Sequence, residues 1–309
     1  MDTFLISFET VLPLFLVIFA GLLFSRTKVS SENWVEILNK YALWIGFPAL
    51  VIFSLMQLDL DGKSYTSLIL LNTIFIFASM FLAFPVSKFF GLSVNMKRSL
   101  FLILPFGNVS YLGIPILYSA FGNEVLPIAA IISAVYVFWL LTLAILLIEI
   151  YGEDKINLKK LFLSLVQNPL LLSVFIGLAI VAFKIQVPGF VEKTIQLFAE
   201  SVTAVVLFSL GIFLGMQKTG KLKEWIQVAI LSVVTMFILP LVFYMIVLFL
   251  PYEINNLKAI IIDAAMPLGV TPYVLAIQYK LKTTLVARVV VFGTILSMFI
   301  IPLWMVILG

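Results

Sequence analysis

The sequence predicts an all-α polytopic membrane protein, with ten transmembrane helices arranged as two inverted five-helix repeats. Three observations predict it. Hydrophobic residues make up 63% of the chain and charged residues 11%, with a mean hydropathy of +1.21, and no soluble domain can hide that much apolar surface. The apolar residues fall into ten segments, each of ~20 residues, the length a hydrocarbon core demands. Two of these segments, one in each half, are interrupted by proline and glycine at matching positions, as in many secondary transporters.

Taken in order, the spans are expected at 4–24, 36–56, 66–87, 98–120, 125–149, 162–184, 194–216, 224–249, 257–279 and 283–307. The first is read as a span and not as a signal peptide, because Asp2 and Glu9 precede any lysine or arginine. The longest polar connection, Tyr151 to Lys160 (YGEDKINLKK), divides the chain. A first repeat covers 1–151, a cytoplasmic linker 152–160 and a second repeat 161–309. Fifteen of the nineteen Lys and Arg lie in the odd-numbered connections, leaving Lys63, Lys184, Lys193 and Lys258 in the even ones. The positive-inside rule makes the odd connections cytoplasmic and both termini extracytoplasmic, in a plasma or inner cell membrane. Five spans per half then force the halves into opposite orientations. Weak echoes agree. Pro13 and Gly21 in span 1 pair with Pro169 and Gly177 in span 6, and Phe53, Met56 and Gln57 in span 2 with Phe213, Met216 and Gln217 in span 7.

The ninth span holds the run Asp263 to Tyr279 (DAAMPLGVTPYVLAIQY), with Pro267, Gly269 and Pro272 close together. Each proline removes a backbone donor and clashes with the preceding turn, so a continuous helix is not expected. Polar backbone freed at membrane depth is tolerated only inside protein or beside a wet cavity. The fourth span carries a second copy: PFGNVSY (Pro105–Tyr111) against PLGVTPY (Pro267–Tyr273), 162 residues apart (267 − 105). Gly113 and Pro115 follow it.

These residues resemble the auxin efflux carrier family. NVSYLGIP (Asn108–Pro115) is similar to its fourth-span signature and AAMPLGVTPYVLAIQY (Ala264–Tyr279) to its ninth. The resemblance continues through Gln167-Asn168-Pro169, Glu200–Gly211 (ESVTAVVLFSLG) and Phe292-Gly293, so it covers nearly the whole chain in order. The short connection between the halves is that of bacterial members, such as malate and malonate permeases, and not of the plant carriers. The resemblance implies a fold like the bile-acid sodium symporters. Spans 1, 2, 6 and 7 would form a scaffold, and spans 3–5 and 8–10 a transport domain whose fourth and ninth helices cross and which moves as an elevator.

Candidate site residues follow from the breaks. Asn108 sits about ten residues into span 4, ~15 Å deep at 1.5 Å per residue. Its amide can donate and accept where the second half-helix should begin, and it matches the family's crossover asparagine; the alternative is an amide that only caps the break. Both second half-helices should start at the midplane, near Asn108-Val109-Ser110 and Gly269-Val270-Thr271. Their positive dipole ends suit a carboxylate without any buried Lys or Arg. Pro105, Gly113, Pro115, Pro267 and Pro272 shape the breaks. Two acids, Glu200 in span 7 and Asp263 in span 9, are expected to be buried and to serve proton or ion coupling, unless they lie close enough to the surface to reach water. Glu200 stands where plant members carry aspartate, Asp263 where they more often carry glutamine, and Gln278 where they carry an acid. Gly211 and Gly215 form a GxxxG in span 7. It suits a homodimer seam through scaffold spans 2 and 7 or packing within the scaffold.

The chain has neither Cys nor His, which excludes disulfides, thiolate catalysis, imidazole bases and the usual zinc ligands. No enzyme chemistry and no cofactor are expected. The basic balance, with a sequence pI near 9.1, sits in loops beside the bilayer and not in a nucleic-acid surface. The expected function is a secondary active transporter of a small organic anion, an auxin-like compound or a dicarboxylate. The alternatives are a sodium- or proton-coupled antiporter or symporter of related fold, or a channel.

Overall fold

Apolar runs of this length satisfy their backbone groups in lipid only as helices. The computed structural model of the protein describes residues 2–56, 65–152, 159, 162–163, 166–216, 222–249 and 257–309, and their regular elements are all helical. The first half contains α1 (Asp2–Phe24), α2 (Glu32–Tyr41 continuing through Ala42–Gly46 and Phe47–Met56) and α3 (Thr66–Phe81 and Ala83–Phe89). It goes on with α4 (Val94–Ile103), α5 (Val109–Phe121) and α6 (Asn123–Ile150). The second half contains α7 (Pro169–Ala182), α8 (Gly189–Met216) and α9 (Leu222–Val233 continuing through Val234–Ile238 and Leu239–Leu248). It ends with α10 (Leu257–Ala264), α11 (Val270–Gln278) and α12 (Thr283–Leu308). Among the described residues six helices are long and apolar enough to cross a membrane, and seven if the bent α1 counts as one span. The chain is a multi-pass membrane protein. Most of the 152–160 connection, and Gln57 and Gln217 of the repeat echoes, lie outside the described residues.

The sixth span differs from the expectation of 162–184, because a new helix begins at Pro169. Asn168 caps it: its Oδ1 accepts from the N–H of Leu170 (3.0 Å) and Leu171 (3.1 Å). Proline then occupies N1, where its missing donor costs nothing.

Three prolines inside the spans widen a helix and do not end it. Three π turns, Ala42–Gly46, Val109–Gly113 and Val234–Ile238, each stop two residues before a proline: Pro48, Pro115 and Pro240. A proline excludes the carbonyl four residues back and offers it no N–H, so the preceding turn opens from i+4 to i+5 bonding. At Pro240 the orphaned carbonyl is that of Met236, and the Trp304 indole N–H of α12 donates to it at 3.0 Å. A fourth π turn, Leu140–Ala144, has no such proline.

Glycines set the helix pairing. α1 packs along α8, and α7 along α2. A Cβ at Gly21 would overlap the Phe208 carbonyl, one at Gly211 the Ile18 carbonyl, and one at Gly215 the Ser25 hydroxyl. The GxxxG of α8 therefore packs against α1 of the same chain, the second of its two readings. In the other half a Cβ at Gly177 would come within 2.9 Å of Leu55 on α2. The echo pair Gly21 and Gly177 thus does corresponding work, each seating the first helix of one half on the second helix of the other. Side-chain bonds add to this packing, Tyr41 to Ser201 at 2.6 Å and Ser209 to Asn39 at 2.9 Å.

At one end of the molecule four helices are tied together. The Arg98 Nε–H donates to the Ile148 carbonyl at 3.0 Å, the Lys282 N–H to Ser99 Oγ at 3.0 Å, and the Tyr279 hydroxyl to Glu149 Oε1 at 3.2 Å. The ammonium of Lys97 lies 3.6 Å from the centre of the Tyr151 ring. Basic residues of two connections, Lys97 and Arg98 from one and Lys282 from the other, therefore lie at this end.

Candidate functional site

Both interruptions leave irregular, non-helical backbone between two short helices, at 104–108 and 265–269. Such backbone, deep in protein, must find partners for its N–H and C=O groups. The two breaks find each other. Gly107 faces Leu268 in an antiparallel bridge, and the Asn108 N–H donates to the Pro267 carbonyl at 2.6 Å. The approach needs a glycine, since a Cβ at Gly107 would lie 2.9 Å from Met266 Cβ and 3.0 Å from the Met266 carbonyl oxygen. α12 presses on the same point, where a Cβ at Gly293 would stand 3.2 Å from Pro267 Cβ.

Pro105 and Pro267 lie in the breaks themselves, whereas Gly113, Pro115 and Pro272 belong to the first turns of the helices that follow. α5 opens with its π turn: the Asn108 carbonyl accepts from the N–H of both Leu112 (3.1 Å) and Gly113 (2.9 Å). α11 opens from Gly269 in an extended conformation (φ −78, ψ 166). Neither start carries a side-chain cap, so first-turn N–H groups and their partial positive charge face the crossing unclaimed by any cap. Asn108 and Val109 are buried there, Ser110 and Val270 half-buried, and Thr271 exposed. Each crossing segment also lays a tyrosine on the α2–α8 layer, Tyr111 on Phe47 (4.9 Å between centroids) and Tyr273 on Phe213 (5.2 Å).

Behind the crossing lies a group of buried polar atoms without hydrogen-bond partners. Asp263 on α10 is 0% exposed, and neither carboxylate oxygen has a partner. It packs on the π turn of α5 so closely that a Cβ at Gly113 would overlap its Oδ1. Asn108 Nδ2, Ser133 Oγ and the Tyr136 hydroxyl are likewise buried and unpartnered, and Tyr136 on α6 lies within electrostatic reach of Asp263. A carboxylate left ionised and unpaired in such a place costs several kcal/mol, so a proton or a cation must accompany it. The burial expected for Asp263 is observed.

Glu200 is a correction. It is exposed on α8, accepting from Gln196 Nε2 at 2.8 Å. Its neighbour Ala199 and the later Val202 and Val206 carry the buried face. Depth along the chain was readable from hydropathy, but the face of the helix was not. Gln278 is exposed at the end of α11, remote in sequence and in burial from Asp263. Ser133 and Tyr136 escaped sequence reading; the signal for them was two polar side chains at i, i+3 spacing inside an otherwise apolar span.

An all-helical, multi-pass membrane chain whose two broken helices pair at their breaks has the architecture of a membrane transporter. Comparison with known proteins gives the family. The chain belongs to the membrane transport protein family, whose model matches residues 6–305. It is similar to an uncharacterized transporter of Methanothermobacter thermautotrophicus, 26% identical over 99% of both chains. A second archaeal relative, an uncharacterized transporter of Methanocaldococcus jannaschii, is 23% identical over 97% of this chain and 98% of its own. Auxin efflux carrier component 3a of Oryza sativa is 29% identical over 47% of this chain and 24% of its own length. The resemblance to auxin efflux carriers read from the motifs is thus matched by the carrier itself over about half of the chain and by the family model over residues 6–305.

Proposed function

We propose that the protein is a secondary active transporter of a small organic carboxylate, working by alternating access. In this reading α4–α5 and α10–α11 each count as one broken span, which makes ten spans in two inverted halves with both termini extracytoplasmic. α1, α2, α7 and α8 form the scaffold, and the remaining helices move against it as an elevator. The observation that carries the proposal is the crossing itself. Two uncapped helix starts meet beside a buried, half-satisfied amide, Asn108, and spans 4 and 9 have no Lys or Arg at this depth. Oriented N–H groups hold an anion there with little reorganisation on binding. The auxin efflux carrier among the relatives supports an auxin-like substrate, and the chemistry of the crossing suits a dicarboxylate as well.

Coupling is assigned to Asp263 and not to Glu200. A buried carboxylate beside Asn108 and Tyr136 can take a proton or a monovalent cation as the substrate binds, and this favours coupled transport over a channel.

Counterflow in proteoliposomes tests the reading. Preloaded carboxylate should drive transient uptake of labelled carboxylate above equilibrium, which a channel cannot do. Asn108→Ala should weaken carboxylate binding by ~1–3 kcal/mol, the usual loss when a buried charge-assisted hydrogen bond loses one partner. That is roughly five- to 150-fold in Kd. Unchanged binding of every transported carboxylate by this variant would overturn the site.

A further inference from the structure

We propose a second binding site, for the phosphate headgroup of an anionic phospholipid, at the turn between α3 and α4. A cavity of about 410 Å³ opens there, lined among others by Phe84, Ser87, Lys88, Leu92, Val94 and Lys97. None of its lining residues belongs to the crossing; the leaflet it meets rests on the orientation proposed above.

Four observations converge on an anion. Lys88 and Lys97 bring two ammonium groups to the cavity wall, and no carboxylate pairs with either among the described residues. The N-terminus of the ten-residue α4 adjoins the cavity at Val94, and Ser93 caps only the Met96 N–H (3.3 Å), leaving the dipole end to act on a nearby anion. Ser87 lines the cavity at 7% exposure, and its hydroxyl has no hydrogen-bond partner. Lys97 is held in place over the Tyr151 ring at 3.6 Å, a contact that orients the ammonium without neutralising it. Phosphate oxygens would take bonds from both ammonium groups and, where the cavity wall opens to the buried Ser87 hydroxyl, from Ser87.

The lipid, and not free phosphate, is indicated by what surrounds the cavity. Phe89 and Phe90, at the end of a membrane-spanning helix, are 84% and 67% exposed and stack on each other edge to face at 5.0 Å. Exposed apolar rings placed so enter the acyl chains just below the headgroups, which the neighbouring lysines can reach. The connection is an odd-numbered one, and the cytoplasmic leaflet that such connections meet is the anionic one. Chains of a bound lipid would run down α3 past Phe89 while its headgroup enters the cavity.

The test uses the full-length protein in neutral detergent, with bound lipid counted by native mass spectrometry. The probes are short-chain phosphatidylglycerol, short-chain phosphatidylcholine and inorganic phosphate. Phosphatidylglycerol should be retained by the wild type and phosphatidylcholine not. The double variant Lys88→Gln/Lys97→Gln should retain it about thirtyfold less, roughly five- to sixfold per lysine near an anionic headgroup. Ser87→Ala should give a smaller loss, and Lys88→Arg/Lys97→Arg should restore retention, which separates lost binding from lost folding. Equal retention of both lipids, undiminished retention by the glutamine variant, or full displacement by millimolar phosphate alone would each overturn the proposal.

Discussion

The two crossing segments share a backbone and divide their chemistry. Across the 162-residue offset (267 − 105), Pro105, Gly107 and Tyr111 correspond to Pro267, Gly269 and Tyr273. These shared residues do the geometric work: proline interrupts, glycine allows the approach, and tyrosine rests on a phenylalanine of the α2–α8 layer. The residues with polar function do not correspond. Asn108 faces Val270 in the alignment, and Asp263 faces Phe101. One segment supplies an amide and the other an acid. A duplicated frame needs symmetry only where two backbones must meet, and a site for one substrate and one coupling ion is free to be asymmetric around it.

The comparison breaks most visibly at the acid. Asp263→Asn keeps the shape and removes the charge, so accumulation driven by an ion or pH gradient should be lost while carboxylate exchange persists. Folding should not suffer, because a buried unpaired acid is a cost to stability. Gradient-driven uptake and counterflow, measured side by side in proteoliposomes, check this; equal gradient-driven accumulation in variant and wild type would remove Asp263 from coupling.

The glycines come next. Gly107→Ala places a Cβ 2.9 Å from Met266 Cβ and 3.0 Å from backbone oxygen, whereas Gly269→Ala meets nothing nearer than 3.4 Å. The first should lower stability by about 1–3 kcal/mol, the usual cost of overpacking, and the second by clearly less. Thermal unfolding in detergent would rank them, and the reverse order would show that the segments are not packed as described. The tyrosines should behave alike: Tyr111→Leu and Tyr273→Leu each forgo an aromatic pair worth about 0.5–1.5 kcal/mol. A large difference between the two would reveal an asymmetry in how the crossing rests on the α2–α8 layer. The smallest effect belongs to Glu200→Gln, which should stay within about 0.5 kcal/mol of wild type, as exposed substitutions do. Its pH profile of uptake should be unchanged too.

By itself the sequence determined where apolar spans lie, that two of them are broken, and that the breaks come as a pair. These properties are local: hydropathy reports depth in the bilayer, and a proline cancels its own hydrogen bond whatever surrounds it. Asn108 and Asp263 were legible for the same reason, being polar residues at a depth where each needs a purpose. Only the tertiary structure decided which way side chains face and what they meet. Glu200 has the depth of a buried acid but points off the packed face of α8, and the glycines of α8 meet α1. Tyr136 came within reach of Asp263 only when α6 and α10 packed on the π turn of α5. The azimuth of a residue around a helix in an apolar medium leaves little trace in composition, because lipid and protein core are equally apolar. It is chosen by the neighbouring helices, through close approach at glycine and through the need of every freed backbone group to find a partner.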